Sequence, residues 1–421
     1  VVDAGVQTIS NDDFTDQSLL LSTINVTARS RQLHTDTQLV LRGSDSENFL
    51  GSSSEQSSQR LRRAYLKHEN NDWGYLLQIG RQPGHKGGVL GAFDGGWVAY
   101  QGLNWLGFNL IGGLPAQVTG NSDLNFSTDQ YFVGGNVDIT PDNQDWSGNL
   151  YMINQMVSGI VDRQAVGAEA RFFSNGLSLF SLVDFDVSYR LLNIAMLNGS
   201  WQSSGGTTLN VLVDHRTTPT TQTANALLAT GDASVEDALQ TNSESTLRDH
   251  AKALTAESDL VLIGVTHPIS STWQLGGDAR FIRTTGTGAA GIQPALAGSG
   301  DILTYTLQAT GNEVFFRNHT LGLTASYIDN PSYQAQSFVL NSLARFWENW
   351  QLDSFVNFYI QESNLGTNIV RVTPSARLSY RWKDNMTFEI QGGVERLTTN
   401  GTTQEEEVLR DFFSFGYIWE H

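Results

Sequence analysis

The chain contains no cysteine, and only 8 of its 421 residues are proline. The first absence excludes a disulfide framework, thiolate metal sites and cysteine nucleophiles, and it is compatible with an oxidising compartment. Long apolar runs are missing too. Hydrophobic residues make up 39% and mean hydropathy is -0.24, and no stretch approaches the ~20 consecutive apolar residues of a membrane helix. Strands that cross a membrane alternate and average out as polar, so this excludes helical spans while leaving a membrane barrel open. Positive charge is scarce, with 25 Lys+Arg against 43 Asp+Glu and a formal charge of -18. That balance argues against nucleic acid as a partner and against docking to an anionic lipid surface. The opening Val1-Val2-Asp3-Ala4-Gly5 has neither the basic nor the apolar region of a signal peptide, so it reads as a processed form or as a chain relieved of an upstream portion.

What the chain does have is glycine and aromatic residues: Gly 41, Trp 10, Tyr 12 and Phe 21. The apolar residues recur at every second position, and β-branched and aromatic types dominate, which predicts strands throughout. Twenty-two alternating segments are expected, the first near 1–10 and the last near 408–420, with 16 to 22 acceptable. Short turns such as Asn71-Asp72, Asn175-Gly176 and Lys383-Asp384-Asn385 intersperse with longer polar connections near 43–57, 83–93, 115–128, 217–257, 285–300 and 398–407. Tight turns at one end and long loops at the other are the pattern of an antiparallel up-and-down transmembrane barrel. The expectation is a single barrel domain over 1–421 with a partly helical insertion at 217–257, where Leu247, Ala251 and Leu254 fall at helical spacing and Ser245 is a plausible N-cap.

Alternation also assigns faces. Between 370 and 382, Val370, Val372, Pro374, Ala376, Leu378, Tyr380 and Trp382 share one parity, while Arg371, Thr373, Ser375, Arg377, Ser379 and Arg381 share the other. A buried soluble core would not hold three arginines in a row. The arginine face is therefore read as wet, and the face ending in Tyr380 and Trp382 as lipid contact with an aromatic girdle. A half-exposed sheet of a soluble protein is the competing reading. The same parity places Glu169, Arg171, Asp184, Asp186, Arg190, Asp214, Arg216, Asp278, Arg280, Asp353, Glu389 and Glu395 on the inner wall with Arg371, Arg377 and Arg381. Seven arginines against eight carboxylates leave that wall nearly balanced, so the acidic excess is expected in loops, at Asp45, Glu47, Asp232, Glu236, Asp237, Glu244 and Glu405-Glu406-Glu407. Neighbouring rows of opposite charge either pair across strands and stiffen the wall or hold water in a transverse field suited to small polar solutes.

The glycine-dense segment Gly80–Gly95 lacks the Lys-Ser or Lys-Thr of a phosphate loop. It reads as a loop at the mouth bent inward as a constriction, with His85, Lys86, Phe93 and Asp94 as its candidate residues. No Gly-x-Ser-x-Gly elbow, zinc motif or EF-hand loop is present, so no catalysis, metal or cofactor is expected.

In the last residues, Phe413, Phe415, Tyr417 and Trp419 lie on one parity, and Ser414-Gly416-Trp419 resembles the terminal assembly signal of bacterial outer-membrane barrels, with His421 where an aromatic is usual. Arg62-Arg63-Ala64-Tyr65-Leu66, Gly80-Arg81-Gln82, Gly87–Gly91 and the run Ser181–Tyr189 resemble phrases of porin-like barrels, and more closely those that follow tetratricopeptide scaffolds in Gram-negative envelope proteins. The resemblance implies an outer-membrane location, with lipid, lipopolysaccharide and the barrel assembly machinery as partners, and either a homo-oligomer or an upstream periplasmic scaffold. The function it implies is a pore for small hydrophilic solutes. The alternatives are a conduit exporting a polymer and a barrel-anchored surface protein; interior aromatics such as Tyr65, Phe173, Phe355 and Tyr359 would face a threaded sugar chain.

Overall fold

The computed structural model describes residues 2–11, 14–48, 58–84, 88–89, 91–116, 128–142, 144–383, 385–401 and 405–419, with backbone alone at 2–19, 48 and 405. One sheet of 22 strands runs through them. Its first part comprises β1 (Val2–Asn11), β2 (Phe14–Arg31), β3 (Thr35–Asn48), β4 (Ser58–Asn70), β5 (Tyr75–Gln82), β6 (Phe93–Tyr100) and β7 (Leu106–Pro115). There follow β8 (Gln130–Ile139), β9 (Trp146–Val157), β10 (Ile160–Ser174), β11 (Leu177–Asp186), β12 (Leu191–Gln202) and β13 (Thr208–Thr218). The last part holds β14 (Ala256–Pro268), β15 (Trp273–Thr284), β16 (Gly300–Asn312), β17 (His319–Asn330), β18 (Tyr333–Phe346), β19 (Trp350–Ser363), β20 (Asn368–Trp382), β21 (Met386–Asn400) and β22 (Glu405–Trp419). Each strand pairs antiparallel with the next in sequence, and β1 pairs with β22 from Val2↔Trp419 to Asn11↔Arg410. The sheet is closed, so no edge is left for lipid or another chain to meet.

The up-and-down order puts the termini and the connections 32–34, 71–74, 101–105, 175–176, 269–272 and 347–349 at one end, here the turn end. Asn175 (φ 48) and Gly176 (φ 79) are both left-handed, which is the two-residue hairpin turn whose twist matches its strands. The loop end carries the long segments 83–92, 219–255 and 285–299. It also has tight turns, 158–159 and 331–332, so long and short connections do not alternate strictly.

Several expectations are corrected. The connection expected near 398–407 is only 401–404, because β21 runs to Asn400 and β22 starts at Glu405. Asp45 and Glu47 belong to β3, and the Glu405–Glu407 run opens β22, where Glu407 pairs with Arg396 at 2.8 Å. Part of the acidic excess therefore rides on strand ends. The insertion starts after Thr218 and holds a 3-10 turn (Thr223–Ala226), α1 (Leu227–Thr230), α2 (Val235–Thr241) and α3 (Glu244–Ala253). Its N-caps are Ser234, accepting from the Asp237 N–H, and Ser243, accepting from the Thr246 N–H, rather than Ser245. Among the described residues no helix is long and apolar enough to cross a membrane.

The outer face is apolar and exposed. On β9 Leu150 and Met152 are uncovered while Tyr151 and Ile153 are buried, and on β22 Phe413, Phe415, Tyr417 and Trp419 are uncovered while the alternate residues are half-buried. At the turn end this face gathers aromatics: Trp350 against Tyr380 (4.7 Å between rings) and Trp382 stacked on Phe388 (6.2 Å). A closed, lipid-matched apolar surface with an aromatic girdle defines a transmembrane β-barrel. Twenty-two strands enclose a lumen too wide for wall side chains to fill.

Candidate functional site: an infolded mouth and a charged lumen wall

The inside of the barrel has two unlike halves. Towards the loop end of β6–β12 the inner row is covered by loop segments. Phe93, Ile111, Phe132, Ile153 and Ala165 form a buried cluster, with Phe93 edge-on to Phe132 at 5.2 Å, and Val89 of segment 83–92 packs on it. Gly88 lies flat on the Tyr151 ring, where an added Cβ would come within 2.5 Å of a ring carbon. Gly88 and Val89 are thus folded inward. His85 and Lys86 lie outside the described residues. Phe93 belongs to this inner cluster, whereas Asp94, its neighbour on β6, falls on the opposite face and makes a two-pronged pair with Arg81 (2.8 and 2.6 Å).

The segment is tied to the wall by a buried charge network. Arg163 donates to the Gly88 carbonyl (2.9 Å) and to Asp184 Oδ2 (2.7 Å), and its partner carboxylate also accepts from the Tyr151 hydroxyl (2.7 Å) and Asn193 (3.0 Å). Side-chain exposures of 1% and 0% make Arg163–Asp184 a fully desolvated pair, tolerable because the carboxylate is hydrogen-bonded on every side. Arg163 reaches inward because β10 carries a bulge there: Val161 pairs with Met156 and Arg163 with Gln155, leaving Asp162 unpaired. Asp162 accepts the Ala224 N–H (2.8 Å), and the Thr223 hydroxyl reaches the Val161 carbonyl (2.9 Å) and the Tyr189 hydroxyl (2.8 Å). In the turn 187–190 burial pushes the Tyr189 phenol up to about 12, so it stays neutral and keeps this bond at any physiological pH.

The insertion therefore rests on the rim formed by β9–β12. Val157 and Tyr189 pack with Ala226, Val235, Ala238, Leu247 and Ala251, and on the other side segment 285–299 bonds it through Gly288 N–H to Ala253 (2.8 Å) and Ile292 N–H to Ala229 (2.8 Å). It caps the mouth, and Gln222 reaches inward to share a cavity of about 280 Å³ with Gly88, Val89, Phe132 and Arg163. The fit at Tyr151 is tight on both sides, since a Cβ on Gly167 would sit 2.2 Å from the ring and 2.5 Å from the Val183 carbonyl. Gly167→Ala is expected to destabilise the protein by about 1–3 kcal/mol. Gly91→Ala, where a Cβ meets nothing within 4 Å, should be neutral; thermal unfolding in detergent compares the two.

The other half, β13–β22, is an open wall. Asp214 pairs with Arg216, Asp353 with Arg377 (3.0 Å) and Glu395 with Arg410 (3.5 Å), and Arg371 stacks over the Tyr359 ring (5.1 Å). Glu389 accepts from Ser379 (3.2 Å) and lines a shallow cavity with Arg381. Asp278 and Arg280 share a face of β15 opposite Thr306 and Thr304. Glu169 and Arg171 sit on β10 near the turn end, with Arg171 over the Phe180 ring (5.5 Å). A cavity of about 690 Å³ spans β16–β21 and is lined by Gln308, Asn341, Asp353, Phe355 and Arg377 among others.

Three residues expected on this wall are placed differently. Asp184 is sealed beneath the infolded loop. Asp186 is fully buried and accepts the Ser188 hydroxyl (2.6 Å) and the Tyr189 N–H (2.8 Å), which makes it a turn cap. Arg190 is not on a strand at all but in the turn 187–190, exposed and left-handed (φ 53). Of the terminal pair, Gly416 lies on the inner parity opposite Glu389, and Trp419 is on the outer face opposite Met386; His421 lies outside the described residues. Arg163, Asp162, Tyr151, Gln155 and Asn193 were not singled out by sequence reasoning. The adjacent Asp162-Arg163 charges at the head of an alternating run were the only available signal.

Taken together, fold and interior define a transmembrane β-barrel with a loop-braced mouth and a polar lumen. No protein-family model matches the chain, and no curated protein matches it. Among solved structures it is similar to Pseudomonas aeruginosa OccK2 (OpdF), at 10% identity and a TM-score of 0.46 over 99% of this chain and 96% of that one. It is also similar to the P pilus usher (PapC) translocation pore, at 10% identity and a TM-score of 0.47 over 99% and 98%. A BenF-like porin from Pseudomonas fluorescens Pf-5 aligns at 8% identity and a TM-score of 0.43 over 99% and 97%.

Proposed function

We propose that the protein is an outer-membrane channel for small hydrophilic solutes, with the loop end outside the cell and narrowed by segments 83–92 and 219–255. The reading is carried by the opposition of faces on β15–β22: an exposed apolar outer row and, one residue away, an inner row of Arg, Asp, Glu, Gln and Asn inside a closed sheet. Paired Arg and acidic rows give a water-filled wall of mixed sign, which suits polar solutes better than a single ion. The braced insertion favours a second reading, a gated export conduit working with an upstream scaffold, in which the cap moves only when a cargo or partner arrives.

Single-channel recording in planar bilayers tests the first reading. The wild type should conduct, and Arg377→Glu should move the reversal potential in a salt gradient towards cations, because it reverses a charge on the open wall beside Asp353. A closed wild type that opens with a cargo would favour the conduit. An unshifted Arg377→Glu variant would mean that this row does not face the conducting path.

A further inference from the structure

Between the two halves, the wall of β2–β5 carries an arginine cluster made by a bulge. Arg42 on β3 and Arg63 on β4 are register partners, so two like charges stand directly opposite each other. Such a pair is unfavourable unless opposite charge lies against it. One step along β3 the pairing slips: Gly43 faces Leu61 and Ser44 faces Arg60, which leaves Arg62 as the extra residue. In a regular strand Arg60 and Arg63 would fall on opposite faces. The extra residue brings both onto the row of Arg42 and Ser44. That row is the inner one, because Leu39, Leu41 and Leu66 of the alternate row are exposed on the apolar outer face.

No counter-charge is at hand. On the described inner row of β2–β5 the carboxylates are Asp36 and Glu69, both near the turn end and both engaged, Asp36 by Arg29 and Arg31 and Glu69 by Lys67 (2.6 Å). Among the described residues Arg42, Arg60 and Arg63 have no ion-pair partner, and Arg42 and Arg60 are exposed with Arg63 half-buried. Their neighbours on the row are neutral: Asn25 and Ser44 about Arg42, Tyr65 next to Arg63, and Gly80 beside Tyr65. The open wall of β13–β22 is built differently, since Arg216, Arg377 and Arg410 each face a carboxylate there.

We propose that Arg42, Arg60 and Arg63 bind a phosphate dianion, free or as a monoester, on the lumen wall. Each guanidinium is a fork of N–H donors with no acceptor, and it cannot shed its charge. A carboxylate would occupy a single fork, whereas the terminal oxygens of a phosphate accept from all three and cancel the repulsion between Arg42 and Arg63. The net charge of -18 repels anions at large, so a phosphate is held here by local donors and not by the field of the whole protein. The inference deepens the channel reading and rests on the inner row being wet. Occupancy does not require conduction: a conducting pore without phosphate binding loses this inference alone, and binding without conduction leaves it standing.

The test is calorimetric titration of the full chain in detergent with inorganic phosphate at about pH 8, where the dianion dominates, and with acetate as the carboxylate control at equal ionic strength. Saturable binding of phosphate alone is expected, weakened about tenfold by Arg63→Gln and similarly by Arg42→Gln. Arg317→Gln, in the exposed turn 313–318, should leave it unchanged. Equal binding of acetate would overturn the proposal. So would a loss in the Arg317 variant as large as in the other two, which would mark diffuse attraction, and so would the absence of saturable phosphate binding, which would show the three arginines to be simply hydrated.

Discussion

Arg163→Met is expected to release segment 83–92 from the barrel wall. The substitution keeps the stem length but removes the donor to the Gly88 carbonyl and leaves Asp184 as a buried carboxylate held only by neutral donors, Tyr151 and Asn193. Stripping one partner from such a pair costs about 3–5 kcal/mol, because the remaining charge has no solvent. The loss falls on Gly88 and its neighbour Val89, which Arg163 ties to the wall. Tyr151 would turn away, and the cluster of Phe93, Phe132 and Ile153 would lose Val89. A single cysteine in place of Val89, which packs on the inner cluster, reports the release, and faster reaction with a maleimide in detergent at unchanged global unfolding temperature is the expected result when Arg163→Met is added. The double variant Arg163→Met/Asp184→Leu should recover part of the protection, since replacing a buried pair by apolar groups is nearly neutral. Labelling at the rate of the Val89→Cys protein alone would show that the ion pair does not hold the loop.

Replacing residues 222–254 by a short Gly-Ser linker is expected to raise unitary conductance by on the order of twofold or more, because the insertion is the largest body at the mouth among the described residues and a pore conducts according to its narrowest section. The barrel should survive the change. The insertion lies outside the strand pairing, and β13 and β14 remain joined through Thr208↔Thr266 to Thr218↔Ala256. What is lost is the cap core around Leu247 and Ala238 and its contacts with Tyr189 and Asp162. The same variant distinguishes the two functions: a wild type already open and moderately widened is a diffusion pore, and one that conducts only after deletion is a gated conduit.

How far the sequence carries this structure depends on how regular each element is. A period of two is a local property, so the alternation of Arg371 to Arg381 against Val370 to Trp382 separates the two faces of β20, and the same logic separates those of β22. Alternation fails at bulges. In β10 the extra residue at Asp162 turns both Asp162 and Arg163 into the protein, and in β12 the shift opposite Asp184 turns Asn193 inward. Those three residues build the mouth, and nothing in a two-residue period announces them. Arg190 was misplaced for a related reason: the tight turn 187–190 contains neither glycine nor proline, and its reversal is made by a left-handed arginine together with the Asp186 cap. Capping chemistry was half legible, because Ser243 and Ser245 are chemically equivalent and only packing of Leu247 and Ala251 selects the frame in which Ser243 is the cap.

Which face of the sheet meets water decides whether the barrel encloses a wet lumen, and the absence of cysteine makes that directly measurable. Single cysteines placed in turn at positions 371 to 378 of β20, reacted in liposomes with a charged, membrane-impermeant maleimide, should label at Arg371, Thr373, Ser375 and Arg377 and stay protected at Val372, Ala376 and Leu378. Uniform labelling, or labelling on the opposite parity, would contradict a lipid-facing outer row and a wet lumen.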